Sequence, residues 1–157
     1  MAVTAPPARR TRVLAAGPEH VGALMALYVD LEAERAARAV DQDEQDAFGR
    51  EAFVALGRAE DRLLVALAGR HTVGFVWARL RTAPYGEFPR AVTIHHVYVK
   101  PEWRRARVLR DLYLAARAWA QSLQAPVVLA VPFSKRLVAA WRRRGFRPLT
   151  VVLTDAG

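Results

Sequence analysis

The sequence contains no cysteine among its 157 residues. This absence excludes disulfide bonds, a zinc site with cysteine ligands and a thiol nucleophile. No apolar run approaches the ~20 residues that a helix needs to span a bilayer. Residues 1–12 are rich in proline, alanine and arginine and lack the apolar centre of a secretion signal. We therefore expect a cytoplasmic protein with no membrane partner, in which residues 1–10 are a loose terminus and residues 11–157 form a single domain.

Lysine and glycine are also scarce. Lys100 and Lys135 are the only lysines, so the net charge of +9 rests almost wholly on arginine. Guanidinium groups suit planar, bidentate recognition of phosphate. No glycine occurs between Gly86 and Gly145. A phosphate-binding loop in this half of the chain would therefore lack the residue whose backbone most easily approaches a phosphate.

The charges are unevenly distributed along the chain. Ten of the fifteen acidic residues fall in residues 30–61, whereas the basic excess lies between residues 100 and 147. The acidic segment has two interpretations, a solvated helix face or a contact with a cationic substrate. The basic segment lacks interleaved aromatic residues and any nucleic-acid-binding motif, so nucleic acid is an unlikely partner on this evidence. The four histidines lack metal-ligand spacing and predict no metal site.

Hydrophobic periodicity predicts the order β-α-α-β-β-β-α-β-α-β. The predicted strands are residues 11–16, 62–68, 72–81, 91–100, 127–131 and 146–153, and the predicted helices are 18–38, 48–57, 108–123 and 135–144. Residues 62–68 form a nearly continuous apolar run, which predicts a strand buried on both faces. Tyr28 belongs to the apolar stripe of the first helix, and Phe48 to the apolar residues that predict the second. Residues 40–46 are polar and acidic and predict a loop, and Gly74 predicts a bulge. Because hairpins come first and crossover helices later, the sheet should be mixed.

The stretch 97–110 organises this pattern. It begins as an apolar strand, turns at Pro101 and enters an amphipathic helix through a corner that contains Arg104, Arg105, Arg107 and Arg110. The first N–H groups of a helix have no partner within the helix, and the helix dipole favours negative charge there. This corner therefore predicts an anion site, with a solvated basic surface as the alternative.

These residues resemble the acetyl-CoA-binding segment of the GNAT N-acetyltransferases, in which Arg/Gln-x-x-Gly-x-Gly/Ala follows a strand ending in Val-x-Pro. Val99-Lys100-Pro101 matches the strand end, and Arg104 matches the first motif position. The segment 141–146 is similar to the family's Tyr-x-x-x-Gly-Phe ending. The resemblance covers residues 11–153. It implies a GNAT-like α/β (α+β) fold with a mixed, mostly antiparallel sheet of about six or seven strands, flanked by about four helices.

The resemblance also implies acetyl-CoA as the cosubstrate. Its arm would pair with the backbone of the central strand, and its pyrophosphate would lie on the loop that follows. The residues implied are Val97, Tyr98, Val99, Arg104, Arg105, Ala106, Arg107, Val108, Leu109, Arg110 and Ser134. Arg107 and Leu109 stand in the two glycine positions of the motif, which predicts either a different loop path or a strained one. Weakened binding and binding compensated by arginine both stay open.

The candidate catalytic residues are His95, His96 and Trp141. The two histidines are adjacent on the central strand, so we expect their side chains to point to opposite faces. They stand where some relatives carry a Glu-Asp pair that helps remove the amine proton, and histidine suits that role near neutral pH. The alternative is that one packs beneath a helix and the other makes a structural hydrogen bond. Trp141 stands where many relatives carry a tyrosine that protonates the leaving thiolate, although indole can only donate a hydrogen bond.

Two functions follow from the resemblance. The first is an N-acetyltransferase that moves an acetyl group from acetyl-CoA to a primary amine of a small molecule or peptide by direct attack. The acidic segment would favour a cationic amine acceptor. The alternative is a degenerate GNAT-fold protein that binds CoA or another anion weakly and has a regulatory or interaction role. Because relatives are often dimers, the resemblance also implies a homodimer.

Overall fold

The computed structural model describes residues 10–83, 87–105, 107–125, 127–130 and 135–148. These residues form five strands and four α-helices. In chain order they are β1 (Arg12–Ala15), α1 (Val21–Ala36), α2 (Gln42–Ala55), β2 (Asp61–Ala68), β3 (His71–Thr82), β4 (Arg90–Val99), α3 (Val108–Ser122), β5 (Val127–Ala130) and α4 (Lys135–Arg142). Short 3₁₀ helices at Pro18–His20 and Pro101–Trp103 lead into α1 and towards α3. None of the helices in these residues is long and apolar enough to cross a membrane.

The strands form one sheet in the order β1-β2-β3-β4-β5. The first three pairs are antiparallel, and β4 pairs with β5 in parallel. The mixed, mostly antiparallel sheet with four flanking helices is confirmed. The five strands are fewer than the six or seven that were expected. Of the predicted last strand, residues 146–148 have no regular structure, and residues 149–153 lie outside the described residues.

The second helix begins earlier than predicted. Residues 42–46 were expected in a loop, but they form the first turns of α2. Asp41 caps this helix, because its side chain accepts a hydrogen bond of 2.8 Å from the backbone N–H of Glu44. Acidic residues in a first turn also interact favourably with the helix dipole. The polar composition that suggested a loop therefore belongs to a helix start.

The sheet separates two apolar cores. On one face α1 and α2 cover a cluster that includes Leu24, Leu27, Leu31, Phe48, Ala52, Leu63, Val65, Phe75 and Tyr98. On the other face α3 covers a cluster that includes Val76, Ala78, Val92, Ile94, Val97, Val108, Leu112 and Trp119. Because β2 contributes to both clusters, its nearly continuous apolar run is buried on both faces, as predicted.

Strands β3 and β4 approach closely at Gly74. The register with β2 shifts beside this glycine, since Ala66 pairs with Gly74 and Leu67 pairs with Thr72. A Cβ atom at position 74 would lie 2.9 Å from the carbonyl oxygen of Tyr98 and 3.1 Å from Cγ2 of Val99. The bulge predicted at Gly74 is confirmed, and the missing side chain lets β3 lie against the end of β4.

Gly74→Ala should destabilise the fold by about 1–3 kcal/mol, because the added methyl group collides with backbone that cannot move independently. Gly22→Ala is the matched control. Gly22 lies in α1, a Cβ there meets nothing within 4 Å, and the change should raise stability by up to about 1 kcal/mol. Urea unfolding of both variants measures the two effects. A Gly74→Ala variant as stable as the parent would contradict the close approach.

Candidate functional site

A bulge in β4 shapes the centre of the molecule. Trp77 of β3 pairs with His96, and the next residue, Ala78, pairs with Ile94, so His95 is an extra residue without a partner in β3. Ile94 and Val97 are three residues apart, yet both pack in the core beneath α3. The bulge therefore turns His95 and His96 to the same side of the sheet.

The prediction that these histidines point to opposite faces is wrong. Strict alternation holds in an unbroken strand, but the extra residue of a bulge shifts it by one position. Both imidazoles line one cavity on the side of α1 and α2. They differ in exposure, as expected, with His95 exposed and His96 half-buried.

We call this space the aromatic cavity. Its volume is about 380 Å³, and its lining residues are Tyr28, Glu44, Ala47, Phe48, Glu51, Trp77, Arg79, His95 and His96. The rings of Tyr28 and Phe48 stack with centroids 4.2 Å apart. The ring of His96 lies 5.6 Å from that of Trp77 and 5.8 Å from that of Phe48. Large planar groups from α1, α2, β3 and β4 thus converge on one small space.

Burial controls the protonation of both histidines. The pKa of His96 is lowered to about 4, chiefly by burial and then by the charge of the neighbouring His95. Burial also lowers the pKa of His95, with the Arg79 charge as the next cause. The Nδ1 atom of His96 is buried and has no hydrogen-bond partner among the described residues. Both imidazoles are therefore neutral at pH 7 and able to accept a proton or a hydrogen bond.

Two charged residues of the aromatic cavity are already paired. Glu44 accepts hydrogen bonds from Arg38 Nη1 at 2.7 Å and from the Tyr28 hydroxyl at 2.8 Å. Hydrogen bonding from Arg38 lowers the pKa of Glu44 to about 2, and burial together with the Glu44 bond raises the pKa of Tyr28 to about 12. Arg79 donates from Nε to Asp61 Oδ1 at 2.8 Å.

Asp61 is a buried carboxylate that holds Trp77 and Arg79 in the wall of the aromatic cavity. Its side chain is inaccessible to solvent, and its Oδ1 atom also accepts a hydrogen bond of 2.9 Å from Trp77 Nε1. A second bond of 3.2 Å joins Arg79 Nη2 to Asp61 Oδ2. The indole and the guanidinium are thereby held in place together, because a buried carboxylate needs charge-assisted partners.

A second space, the arginine cavity, has a volume of about 150 Å³. It is lined by Glu34, Val97, Tyr98, Val99, Arg104, Leu109, Arg136, Leu137, Ala140, Arg143 and Arg144. Four of these residues are arginines from the β4–α3 loop, α4 and the turn after α4. With four arginines and one carboxylate in its lining, the cavity is strongly basic. Burial lowers the pKa of Arg144, with the Arg143 charge as the next cause.

A carboxylate from α1 lies among these arginines. Glu34 Oε1 accepts a bond of 2.6 Å from Arg136 Nη2, and Glu34 Oε2 accepts one from Arg104 Nη2. Arg104 also donates from Nε to the carbonyl oxygen of Val99 at 2.8 Å. Glu34 thus joins α1, the β4–α3 loop and α4 across the arginine cavity.

Beyond the bulge, β4 carries backbone groups beside the arginine cavity that β3 does not use. The described residues of β5 pair with Ala91 to Ile94 of β4. Lys100 N–H donates to Val73 O of β3 at 2.9 Å. Because backbone groups alternate between the two edges of a strand, those of Val97 and Val99 point away from β3. The carbonyl oxygen of Val99 accepts the Arg104 bond described above, so the N–H groups of Val97 and Val99 and the carbonyl of Val97 are the groups suited to pairing with an extended ligand.

The loop before α3 keeps a conformation suited to glycine. Arg107 has φ 61° and ψ 11°, the left-handed region that costs a non-glycine residue roughly 1–2 kcal/mol. The predicted strained path is confirmed at Arg107, whereas Leu109 lies in the first turn of α3 and lines the arginine cavity. Val108, the first residue of α3, is buried in the core. Arg105 and Arg110 are exposed, and Ala106 and Ser134 lie outside the described residues.

Trp141 lines neither cavity. It is 3% exposed and packs in the core with Tyr113 and Phe146, at centroid distances of 5.7 Å and 4.9 Å. Its indole faces the core because it lies on the apolar side of α4, which rests against α3. The predicted donation from Trp141 to a leaving thiolate stays a prediction.

The sequence interpretation missed several residues of these walls. Tyr28 and Phe48 were assigned to apolar helix stripes, and Trp77 and Arg79 were given no role. Glu34 was included only in the acidic segment, as a solvated residue or a contact with a cationic substrate. Two signals could have identified some of them: Trp77 and Arg79 alternate on one strand next to the histidine strand, and Tyr28 interrupts a stripe of aliphatic residues. The described residues contain no cluster of three or more potential metal ligands.

The folded protein should lose stability as the pH falls from 7 towards 5. The unfolded chain binds a proton at His96 near its ordinary pKa of 6.5, whereas the folded chain binds it near 4. The contribution of neutral His96 is therefore complete above about pH 6.5 and is lost as the pH falls towards 4. His96→Gln should show a smaller drop in Tm over this range in thermal unfolding. His71→Gln, at the exposed first residue of β3, is the control. An unchanged pH slope in His96→Gln would contradict the assignment.

Comparison with known proteins identifies the family. The family model of the acetyltransferase (GNAT) family matches residues 24–146. A comparison with curated protein sequences finds no match.

Several solved structures share the fold. The aminoglycoside 6′-N-acetyltransferase AAC(6′)-Ih from Acinetobacter baumannii superposes with a TM-score of 0.75 at 15% identity, over 94% of this chain and 98% of that chain. The aminoglycoside N-acetyltransferase AAC(6′)-Iy in complex with CoA gives 0.76 at 17% identity, over 98% and 99%. A transcriptional regulator from Bacillus halodurans gives 0.80 at 14% identity, over 94% and 100%. With a family match over most of its length and this shared fold, the chain belongs to the GNAT acetyltransferase family.

Proposed function

We propose that this protein is an N-acetyltransferase that moves an acetyl group from acetyl-CoA to a primary amine of a small molecule or peptide by direct attack. One observation carries the proposal. The short segment 95–99 of β4 lines both cavities, with His95 and His96 on the aromatic cavity and residues 97–99 on the arginine cavity. An amine in the first cavity and a thioester in the second would meet at the bulge.

The arginine cavity is the proposed site of acetyl-CoA, which supplies an activated acetyl thioester. Guanidinium groups of Arg104, Arg136 and Arg143 offer charge-assisted donors to its phosphates. The N–H groups of Val97 and Val99 and the carbonyl of Val97 would pair with amide groups of its arm, as the family resemblance implies. The start of α3 adds free N–H groups and a favourable dipole.

The glycine-like conformation of Arg107 supports compensated rather than lost anion binding. A loop that had abandoned its binding path would have no reason to retain a residue in a left-handed conformation that costs roughly 1–2 kcal/mol. An arginine there adds a charged donor in place of the close approach that glycine allows.

The two histidines are proposed to remove the proton of the amine and to position the neutral amine. His95 is the more exposed of the two and would accept the proton as the amine attacks. His96 is too buried to hold a charge near neutral pH, so it would offer its unpartnered Nδ1 atom, directly or through water, to the neutral amine. The acceptor would enter as an ammonium cation and lose a proton to His95 in forming the amine that attacks.

Removing the Glu34 carboxylate should strengthen acetyl-CoA binding. Glu34→Gln frees Arg104 and Arg136 from an intramolecular anion, and partly exposed ion pairs of this kind are worth up to about 1 kcal/mol. We expect an affinity about two- to fivefold higher in calorimetric titration at fixed ionic strength. Glu60→Gln removes one negative charge at an exposed turn and is the matched control. Weaker binding in Glu34→Gln would indicate that Glu34 instead orders the arginines for the ligand.

Titration and turnover of the purified full chain test the function. Calorimetry should give micromolar binding of acetyl-CoA, and primary amines should release the CoA thiol at a measurable rate. His95→Gln should lower kcat about 100-fold, the usual contribution of a general base, with acetyl-CoA affinity unchanged. His71→Gln should leave both values unchanged.

The alternative function makes the opposite prediction. If acetyl-CoA shows no binding up to millimolar concentration, the chain is a degenerate GNAT-fold protein with a regulatory or interaction role. The occupation of Arg104 and Arg136 by Glu34 is the observation that favours this alternative.

A further inference from the structure

The walls of the aromatic cavity are rigid π faces. Phe48 lies at the centre, stacked on Tyr28 at 4.2 Å and edge-to-face with Trp77 at 5.8 Å. Each ring comes from a different element, and Trp77 is fixed by its bond to buried Asp61. A cation close to such faces is attracted by the ring quadrupoles, and the attraction grows when water is excluded.

Two charged residues of the aromatic cavity form ion pairs with residues outside its lining. Glu44 is bound by Arg38, and Arg79 is bound by Asp61. Glu51 is the remaining carboxylate of the lining, and its nearest cation is Arg58 at 3.9 Å. The two histidines carry no charge at neutral pH. The cavity therefore offers one loosely held carboxylate and a largely apolar interior.

We propose that the aromatic cavity selects a primary amine with a single positive charge on an aromatic or branched-alkyl body, and that it rejects polycations such as polyamines and aminoglycosides. This inference rests on the proposed function, because it names the acceptor class for that reaction. It separates this chain from its structural neighbours, two of which are aminoglycoside acetyltransferases by name.

The physical reason is the balance of desolvation and compensation. One ammonium group is compensated by the ring faces and Glu51, and its apolar body replaces water in a cavity of about 380 Å³. A second or third ammonium group would be desolvated with no further carboxylate to receive it, since Glu44 already accepts two partners. The specificity thus comes from the lack of a second available carboxylate in the lining as much as from the ring faces and Glu51.

The test compares three amines with saturating acetyl-CoA: 2-phenylethylamine, spermidine and neamine. Turnover is followed by release of the CoA thiol, and binding of each amine in the presence of CoA is measured by calorimetry. We expect kcat/KM for 2-phenylethylamine to exceed the values for spermidine and neamine by about tenfold or more.

Variants of one ring give the matched comparison. Tyr28→Leu removes a π face and should raise KM for 2-phenylethylamine about fivefold or more. Tyr28→Phe keeps the ring and loses only the hydroxyl that bonds to Glu44, so its KM should rise clearly less than that of Tyr28→Leu. Acetyl-CoA affinity should be the same in all three proteins, which shows that the variants fold.

The outcomes separate the two hypotheses. Efficient acetylation of spermidine or neamine with poor use of 2-phenylethylamine overturns this inference and leaves the proposed function standing. Binding of 2-phenylethylamine without turnover of any amine supports the inference and overturns the proposed function. Absence of 2-phenylethylamine binding, or equal KM values in Tyr28→Leu and Tyr28→Phe, overturns the inference.

Discussion

The bulge at His95 is the constraint on which the rest of the site depends. One extra residue in β4 turns two neighbouring histidines to the same side of the sheet. A regular strand could not do this, because its side chains alternate between the two faces. The bulge is in turn held in a sheet whose two faces are both buried, and Gly74 lets β3 lie close to β4 a few residues beyond it. The local irregularity therefore persists because regular structure surrounds it.

Electrostatic pairing gives the two cavities different characters. In the aromatic cavity Glu44 and Arg79 are paired with residues behind the wall and Glu51 is only loosely held, so the surface presented to a ligand is made mainly of rings. Asp61 illustrates this arrangement, since one buried carboxylate fixes both Trp77 and Arg79. In the arginine cavity the positive groups outnumber the single carboxylate of Glu34. An apolar amine and a polyanion are the ligands that these two environments would distinguish.

The sequence predicted the order of elements from β1 to α4, the buried character of β2 and the basic corner before α3, because each depends on local periodicity or on adjacent residues. The relative direction of His95 and His96 could not be predicted, since a bulge depends on how two strands align. The pairing of Glu34 with Arg136 was equally inaccessible, because it joins residues 102 positions apart. The assignment of Tyr28 and Phe48 to helix stripes was correct in periodicity. Their second role as cavity walls follows from the packing of α1 and α2 against β4.

The ion pairs of Glu34 with Arg104 and Arg136 also determine how tightly another anion must bind to displace the carboxylate. A carboxylate attached to α1 is present at a fixed, high effective concentration near Arg104 and Arg136. A singly charged anion such as chloride or acetate gains little by competing with it at physiological concentration. A ligand with several linked phosphates can engage additional arginines at once and so outcompete the carboxylate through multivalency. The protein would thereby keep its basic cavity closed to the small anions of its surroundings, while a polyphosphate ligand could still enter.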